Sequence, residues 1–200
     1  MPILSRRTQV GFTLVELMVT LSILAILAAL ALPSFQTFMA ENRASGKTME
    51  LVSAVKTAQS EALRRSREVV FTLTDSPNPS ASLTGVATGK SWATVALPLA
   101  GASSSVVPEV VTVGGYSEGS ADVVIKASTA AVCFLPDGPI KADTATGVSG
   151  ADCAVDASSG ATFVLLPSRG TKRWRVSVTP AGKVSSCLGV GDDAATFTCS

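Results

Sequence analysis

Glu16 is the only charged side chain between Phe12 and Leu32, a stretch otherwise built from Leu, Ala, Ile, Val, Met, Phe, Thr and Ser. At about 1.5 Å per residue a helix of that length spans a hydrocarbon layer roughly 30 Å thick. A carboxylate inside it costs about 2.5–3.5 kcal/mol on insertion scales, and so calls for a cationic partner. No basic residue of the same chain is placed to reach it. The nearest available cation would be an α-amino group freed by a cut after Gly11, directly before Phe12. The chemistry suggested here is proteolytic processing followed by pairing of a carboxylate with an amine.

Three other groups of residues could do chemistry. Cys133, Cys153, Cys187 and Cys199 all follow the apolar run. An even count on the exported side of a membrane reads as two disulfides, and of the three possible pairings the local ones, Cys133–Cys153 and Cys187–Cys199, are favoured. The chain has no histidine and no C-x-x-C, so no zinc site and no cofactor is expected. Arg173 and Arg175 flank Trp174, so on a strand the two arginines share one face and the indole turns to the core. With Lys183 close behind, they could neutralise phosphates and give salt-sensitive DNA contacts, although a solvated face is the plainer reading. Gly115-Tyr116-Ser117-Glu118-Gly119 spells the nucleophile elbow G-x-S-x-G. Without histidine no Ser-His-Asp arrangement can form, and a turn between strands is expected instead. An enzyme on a membrane anchor is therefore a remote alternative.

The elements that would position these residues are legible from periodicity. Arg6 and Arg7 precede the apolar run without any acid, which keeps that end cytoplasmic and makes the remainder exported. A secretory signal peptide would have a shorter core and an A-x-A-like site after it. Ala28, Ala29 and Ala31 stand in the right region for one, but the length of the run, Glu16 and the continuing helical pattern argue against it. After Pro33 the period of a helix resumes, with Phe35, Phe38, Met39, Met49, Val52, Val55 and Leu63 predicted on one face. The helix is expected over 12–67, membrane-spanning over 12–32 and amphipathic over 33–67, with bends at Pro33 and Gly46. Glu61 precedes Arg65 by four residues, the favourable order for an ion pair.

Beyond residue 68 the composition turns to Val, Thr, Ser and Gly. Strands are predicted at 69–74, 92–97, 106–113, 121–127, 131–135, 161–167, 173–179 and 183–188. Residues 136–160 carry neither period, and a loop of that length needs a function or a cross-link. The fold class is α+β: a long N-terminal helix packed by its second half on an antiparallel sheet domain spanning 68–200. A net charge of +1 gives no global signal for nucleic acid.

The short basic leader ending in Gly11, the run Phe12-Thr13-Leu14-Val15-Glu16 and the uninterrupted apolar helix together resemble a type IV pilin precursor. The resemblance implies a leader of residues 1–11, cleavage after Gly11 by a prepilin peptidase and N-methylation of Phe12. It also implies that Glu16 pairs with the terminal amine of a neighbouring subunit during filament assembly. Later stretches resemble the GspH/FimT group of minor pilins and pseudopilins. They are Ala58-Gln59-Ser60-Glu61-Ala62-Leu63-Arg64-Arg65, with Gln59 where the group usually has arginine, then Cys133-Phe134-Leu135-Pro136-Asp137-Gly138 and Arg173-Trp174-Arg175-Val176-Ser177-Val178. Some FimT-like proteins are linked to DNA capture through a G-R-x-R motif. The corresponding residues here are Gly182-Lys183-Val184-Ser185, with lysine for the first arginine and serine for the second. What the resemblance implies is a structural subunit of the priming or tip complex of a type IV pilus or type II secretion pseudopilus. Its partners would be other pilin-like subunits, the prepilin peptidase, an inner-membrane assembly platform and the membrane itself. The exported domain would lie in the periplasm, and a DNA-binding subunit for uptake is the alternative.

Overall fold

The computed structural model describes residues 11–80, 83–99, 107–115, 123–143, 146, 148, 151–153, 155, 158–193 and 195–199. The leader residues 1–10 and the Tyr116–Gly119 part of the G-x-S-x-G segment fall outside them. The chain divides into two compact units, Met1–Phe38 and Met39–Ser200. Helix α1 (Leu14–Arg65) contributes to both, and the α-helical backbone continues through Pro33 and Gly46.

In the first unit the helix carries no charged side chain except Glu16. Its most apolar 18 residues have a mean hydropathy of 2.5 and none is buried within the protein. The hydroxyls in this stretch are satisfied internally, Thr20 Oγ1 donating to Leu17 O and Ser22 Oγ to Met18 O. Such back-bonding removes the cost of a free hydroxyl in an apolar medium.

In the second unit the helix buries Ala40, Ala44, Thr48, Leu51, Val55, Ala58 and Ala62. This corrects the face read from the large apolar residues: Met49 is 73% exposed and Leu63 51%, and of the two Val52 is only half-buried while Val55 alone is fully inside. The physical reason is distance. A stripe of alanines lets a helix lie close against sheet side chains, and those side chains supply the bulk of the core.

The helix ends two residues earlier than expected, at Arg65. Ser66 adopts φ 50° and its N–H bonds Leu63 O, while Arg67 N–H bonds Ala62 O. These are the two bonds of a Schellman cap, here built on serine.

The strands are β1 (Val69–Thr74), β2 (Ser91–Ala96), β3 (Glu109–Gly115), β4 (Val123–Ala127), β5 (Ala131–Phe134), β6 (Ile140–Lys141), β7 (Ala161–Pro167), β8 (Arg173–Val178), β9 (Val184–Val190) and β10 (Thr198–Cys199). They form two five-stranded antiparallel sheets, in the orders β3-β2-β1-β5-β6 and β10-β9-β8-β7-β4. The β4 strand crosses to the second sheet between two strands of the first. Period-two alternation points Val69, Phe71 and Leu73 to the same interior as Phe163, Leu165, Val176 and Val178 of the other sheet. The alanine stripe of α1 closes that interior, and Phe71 meets Phe163 edge-on with ring centroids 6.0 Å apart.

Each sheet also has a covered outer face. Over the first sheet Val70, Ala93, Val95 and Ala131 are packed by Leu83, Val148, Ala151 and the cystine Cys133–Cys153. Over the second, Val164 and Leu166 are packed by Phe197, with Cys187 beside them. Within 136–160 the described residues Val148, Ala151 and Cys153 thus cover the first sheet, with β6 and a bridge between Asp143 and Cys153 beside them.

Candidate processing and assembly site

At the N-terminal end Gly11 and Phe12 precede the helix, Phe12 being 84% exposed. Thr13 caps α1: its Oγ1 accepts the N–H of Glu16 at 3.2 Å, and its carbonyl accepts the N–H of Leu17. The spacing Thr13-x-x-Glu16 is that of a capping box, which places the carboxylate in the first turn at the positive end of the helix dipole. Glu16 is exposed along with its apolar neighbours. A carboxylate three residues from the cap is thus carried on the first helical turn and left exposed.

In the second unit three polar side chains of α1 attach the helix to the sheets, and the sequence had flagged one of them. Glu61 lies between Arg64 and Arg65, with Arg65 Nε donating to its carboxylate at 2.8 Å. Arg65 Nη1 then reaches Glu109 on β3 at 2.9 Å. The hydrogen bonds from Arg64 and then Arg65 hold the Glu61 carboxyl down at about 2. Glu41 accepts the N–H groups of Thr171 and Lys172 and pairs with Lys172 Nζ at 3.2 Å, which ties the β7–β8 turn to the helix. Burial opposes ionisation of Glu41, but the Lys172 and Thr171 bonds prevail and its carboxyl lies below the ordinary value.

Gln59, noted in the sequence only as a departure from the group's usual arginine, has a bridging role that sequence reasoning did not find. Its Nε2 donates to Gly138 O at 2.9 Å and to Gly182 O at 3.0 Å, joining a turn of one sheet to a turn of the other. Gly182 has φ +80° and a Cβ there would stand 2.1 Å from Gly138 O, so glycine is required. The only signal in the sequence was its place in the Ala58–Arg65 motif.

The basic residues do not converge. Arg173 and Arg175 share a face of β8 opposite Gly189 and Cys187, as expected, and Trp174 packs against the shared core. Lys183 follows the same parity, but it sits about 13 Å further along the ladder from Arg175. The two arginines are occupied by the C-terminal tail. Arg173 Nε donates to Asp192 at 3.1 Å and its Nη1 to Gly170 O at 2.9 Å. Arg175 Nη1 donates to Phe197 O at 3.1 Å and Nη2 to Cys199 Sγ at 2.9 Å, its guanidinium lying 5.2 Å from the centre of the Phe197 ring. The tail is pinned by the cystine Cys187–Cys199.

Comparison with known proteins decides the family. Residues 47–182, more than half of the chain, match the family model of the type II transport protein GspH. The chain belongs to the GspH family. Residues 6–32 match the prokaryotic N-terminal methylation motif. Among curated proteins, the chain is 41% identical over 68 residues to a fimbrial protein of Pseudomonas aeruginosa, a match that covers 34% of this chain and 44% of that one. It is 46% identical over 55 residues to the type IV major alpha-pilin of Moraxella bovis, covering 28% and 34% respectively. The chain thus spans less than half the length of these curated relatives. Among solved structures, the type IV minor pilin FimU of Pseudomonas aeruginosa superposes with a TM-score of 0.50 at 14% identity, over 80% of this chain and 96% of FimU. The fold is the pilin fold, a long N-terminal helix with antiparallel sheets.

A cleft of about 480 Å³ is lined in part by Arg67, Glu68, Leu97, Leu99, Lys141 and Asp143. Glu68 Oε1 is buried there without a hydrogen-bond partner. Burial pushes the Glu68 carboxyl up, Lys141 at 3.9 Å opposes this, and Asp143 adds to it. Among the described residues no group of three or more His, Cys, Asp or Glu side chains could hold a metal ion.

Proposed function

We propose that the chain is a minor pilin or pseudopilin, a structural subunit of the priming or tip complex of a type IV pilus or type II secretion pseudopilus. In this reading residues 1–11 are a leader removed by a prepilin peptidase, which also methylates Phe12. Residues 12–32 hold the subunit in the inner membrane, 33–67 continue the helix, and 68–200 form the periplasmic domain. An assembly platform then transfers the subunit from lipid into a bundle with other pilin-like chains. The observation that carries the reading is Glu16 on the first turn of a helix whose first half is otherwise apolar and unburied, five residues after Gly11 and within the methylation motif. In lipid that carboxylate is costly, and the methylated amine of Phe12 on a neighbouring subunit repays it on assembly. Burial of the apolar helix against neighbours replaces the lipid that is left behind.

Intact mass of membrane-extracted protein tests processing, the expected first residue being methyl-Phe12. A chain beginning near Pro33 would show signal-peptide cleavage and sink the proposal. Replacing Glu16 by alanine should leave insertion intact while incorporation into the filament complex, followed by cross-linking, falls. Equal incorporation would remove the pairing role. The occupied state of Arg173 and Arg175 weighs against standing DNA contacts, so the uptake alternative is not adopted.

A further inference from the structure

We propose that the tail from Gly191 to Cys199 is a disulfide-latched cover over a phosphate-binding strip formed by Arg173 and Arg175. This inference does not depend on the subunit reading above. The two arginines are two positions apart on β8, about 6.6 Å along the strand and on the same face. Their partners in the tail are the groups a phosphodiester would displace: a carboxylate oxygen of Asp192 on Arg173 and the Phe197 carbonyl on Arg175. The tail is built to hold those groups in place. Asp193 accepts the N–H groups of Ala195 and Thr196 and the Thr196 hydroxyl, which folds the chain back over the sheet. Phe197, 4% exposed, seats on Val164 and Leu166 and stacks on the Arg175 guanidinium.

The fit is incomplete at one atom. Arg175 Nε is buried with no hydrogen-bond partner, so the closed tail leaves a desolvated donor on the residue it covers.

The latch itself is chemically distinct from the other cystine. Cys199 is exposed and Cys187 half-buried, whereas Cys133 and Cys153 are both fully buried. A dithiol protein reductant can therefore reach the tail bridge alone. Its thiolate bonds to one sulfur of Cys187–Cys199 as the S–S bond breaks, and its second thiol resolves the mixed disulfide. The chain gains two thiols and the reductant becomes a disulfide, with two electrons and two protons transferred. Freed of its tether, the tail holds Arg173 and Arg175 only by noncovalent contacts, which a polyanion can outcompete.

The test uses the full chain in non-ionic detergent and a mixed-sequence DNA duplex as probe, with binding read by fluorescence anisotropy across a salt series. The oxidised protein should bind weakly. Selective reduction of Cys187–Cys199, verified by mass, and the pair Cys187→Ser with Cys199→Ser should each tighten binding at least tenfold. The logarithmic salt slope of the gained binding should be about −2, for two phosphates neutralised. Adding Arg173→Ala and Arg175→Ala should abolish the gain. A chain ended after Gly191 and carrying Cys187→Ser exposes the strip without any latch and should bind as the reduced protein does. Equal binding by oxidised and opened forms overturns the proposal. So does a gain that survives loss of both arginines, or binding by the shortened chain that reduction of the full chain fails to reproduce.

Discussion

The two sheets present the same plan on their inner faces and opposite solutions on their outer ones. Both turn alternate apolar residues towards the alanine stripe of α1, and both carry an irregular cover tied down by a local cystine. Among the described residues the cover over the first sheet is largely apolar: Val148, Ala151 and Cys153 pack on Val70, Val95, Ala131 and Cys133. The cover over the second is held largely by polar groups, with Phe197 as its one large apolar anchor and Asp192 and Asp193 in its turn. A cover buried by its own apolar atoms belongs to the global fold. One held at its edges by exposed charges opens on its own, because water competes for each of those contacts.

Removing the bridges should show that difference most strongly. Replacing Cys133 and Cys153 by alanine should cost about 4 kcal/mol of global stability in denaturant, from lost loop closure together with a disturbed core. Loss of Cys187–Cys199 should cost about 2 kcal/mol or less by the same measurement. Equal losses would mean that loop closure alone decides and that the contrast between the covers is false.

Phe197→Ala should remove about 2 kcal/mol from the second cover, the worth of burying one such side chain. The loss should appear in native-state hydrogen exchange as faster opening of β9 and β10 with little change around β1. Slowed or unchanged exchange in β9 would show that the charges hold the tail without their anchor.

Gln59→Ala should cost about 1–2 kcal/mol, since Gly138 O at the root of the first cover and Gly182 O at the β8–β9 turn lose their donor together. Because both turns hang from one amide, exchange should rise at both. A change confined to one would separate the two regions more sharply than the structure does.

The smallest effect is in pH, where the two covers should respond in opposite senses. Glu68, beside the first cover, has its carboxyl raised above the ordinary 4.5 by burial, so its contribution is fully present below that value and is lost as pH rises through the folded pKa. Asp193, in the second, lies below the ordinary 3.8, chiefly through the Thr196 N–H, so its contribution is present above that value and is lost as pH falls through the folded pKa. Exchange near Glu68 should therefore slow on mild acidification, while exchange in the tail quickens only in stronger acid. Glu68→Gln should erase the first response and Asp193→Asn the second.

Much of this was legible in the sequence because it is written in short periods. Arg173–Val178 alternates in type, Val69–Thr74 and Ala161–Pro167 are short runs rich in Val, Thr, Leu and Phe, and the structure has strands at all three. The helix was equally plain, but its buried face was not. Met49 and Leu63 carry the strongest apolar signal, yet close approach to a sheet selects alanine, and alanine is a weak marker of either surface. The covers escaped for a different reason. Val148, Ala151 and Phe197 meet the sheets across long separations in sequence, and no local period announces such contacts. The same holds for Gln59, whose two carbonyl partners lie 79 and 123 residues away.

The Schellman cap at Ser66 has a mechanical consequence. It turns the chain from α1 into β1 within three residues, and β1 is the central strand of its sheet, hydrogen-bonded along both edges to β2 and β5. Tension carried by the second half of the helix therefore enters the domain at its middle and not at a peelable border. To extract β1 lengthwise, a pull must shear two ladders at once, whereas an edge strand would unzip one bond at a time. The neighbour β5 is itself anchored by Cys133 to Cys153. The domain thus hangs from its shaft by its most strongly fastened strand.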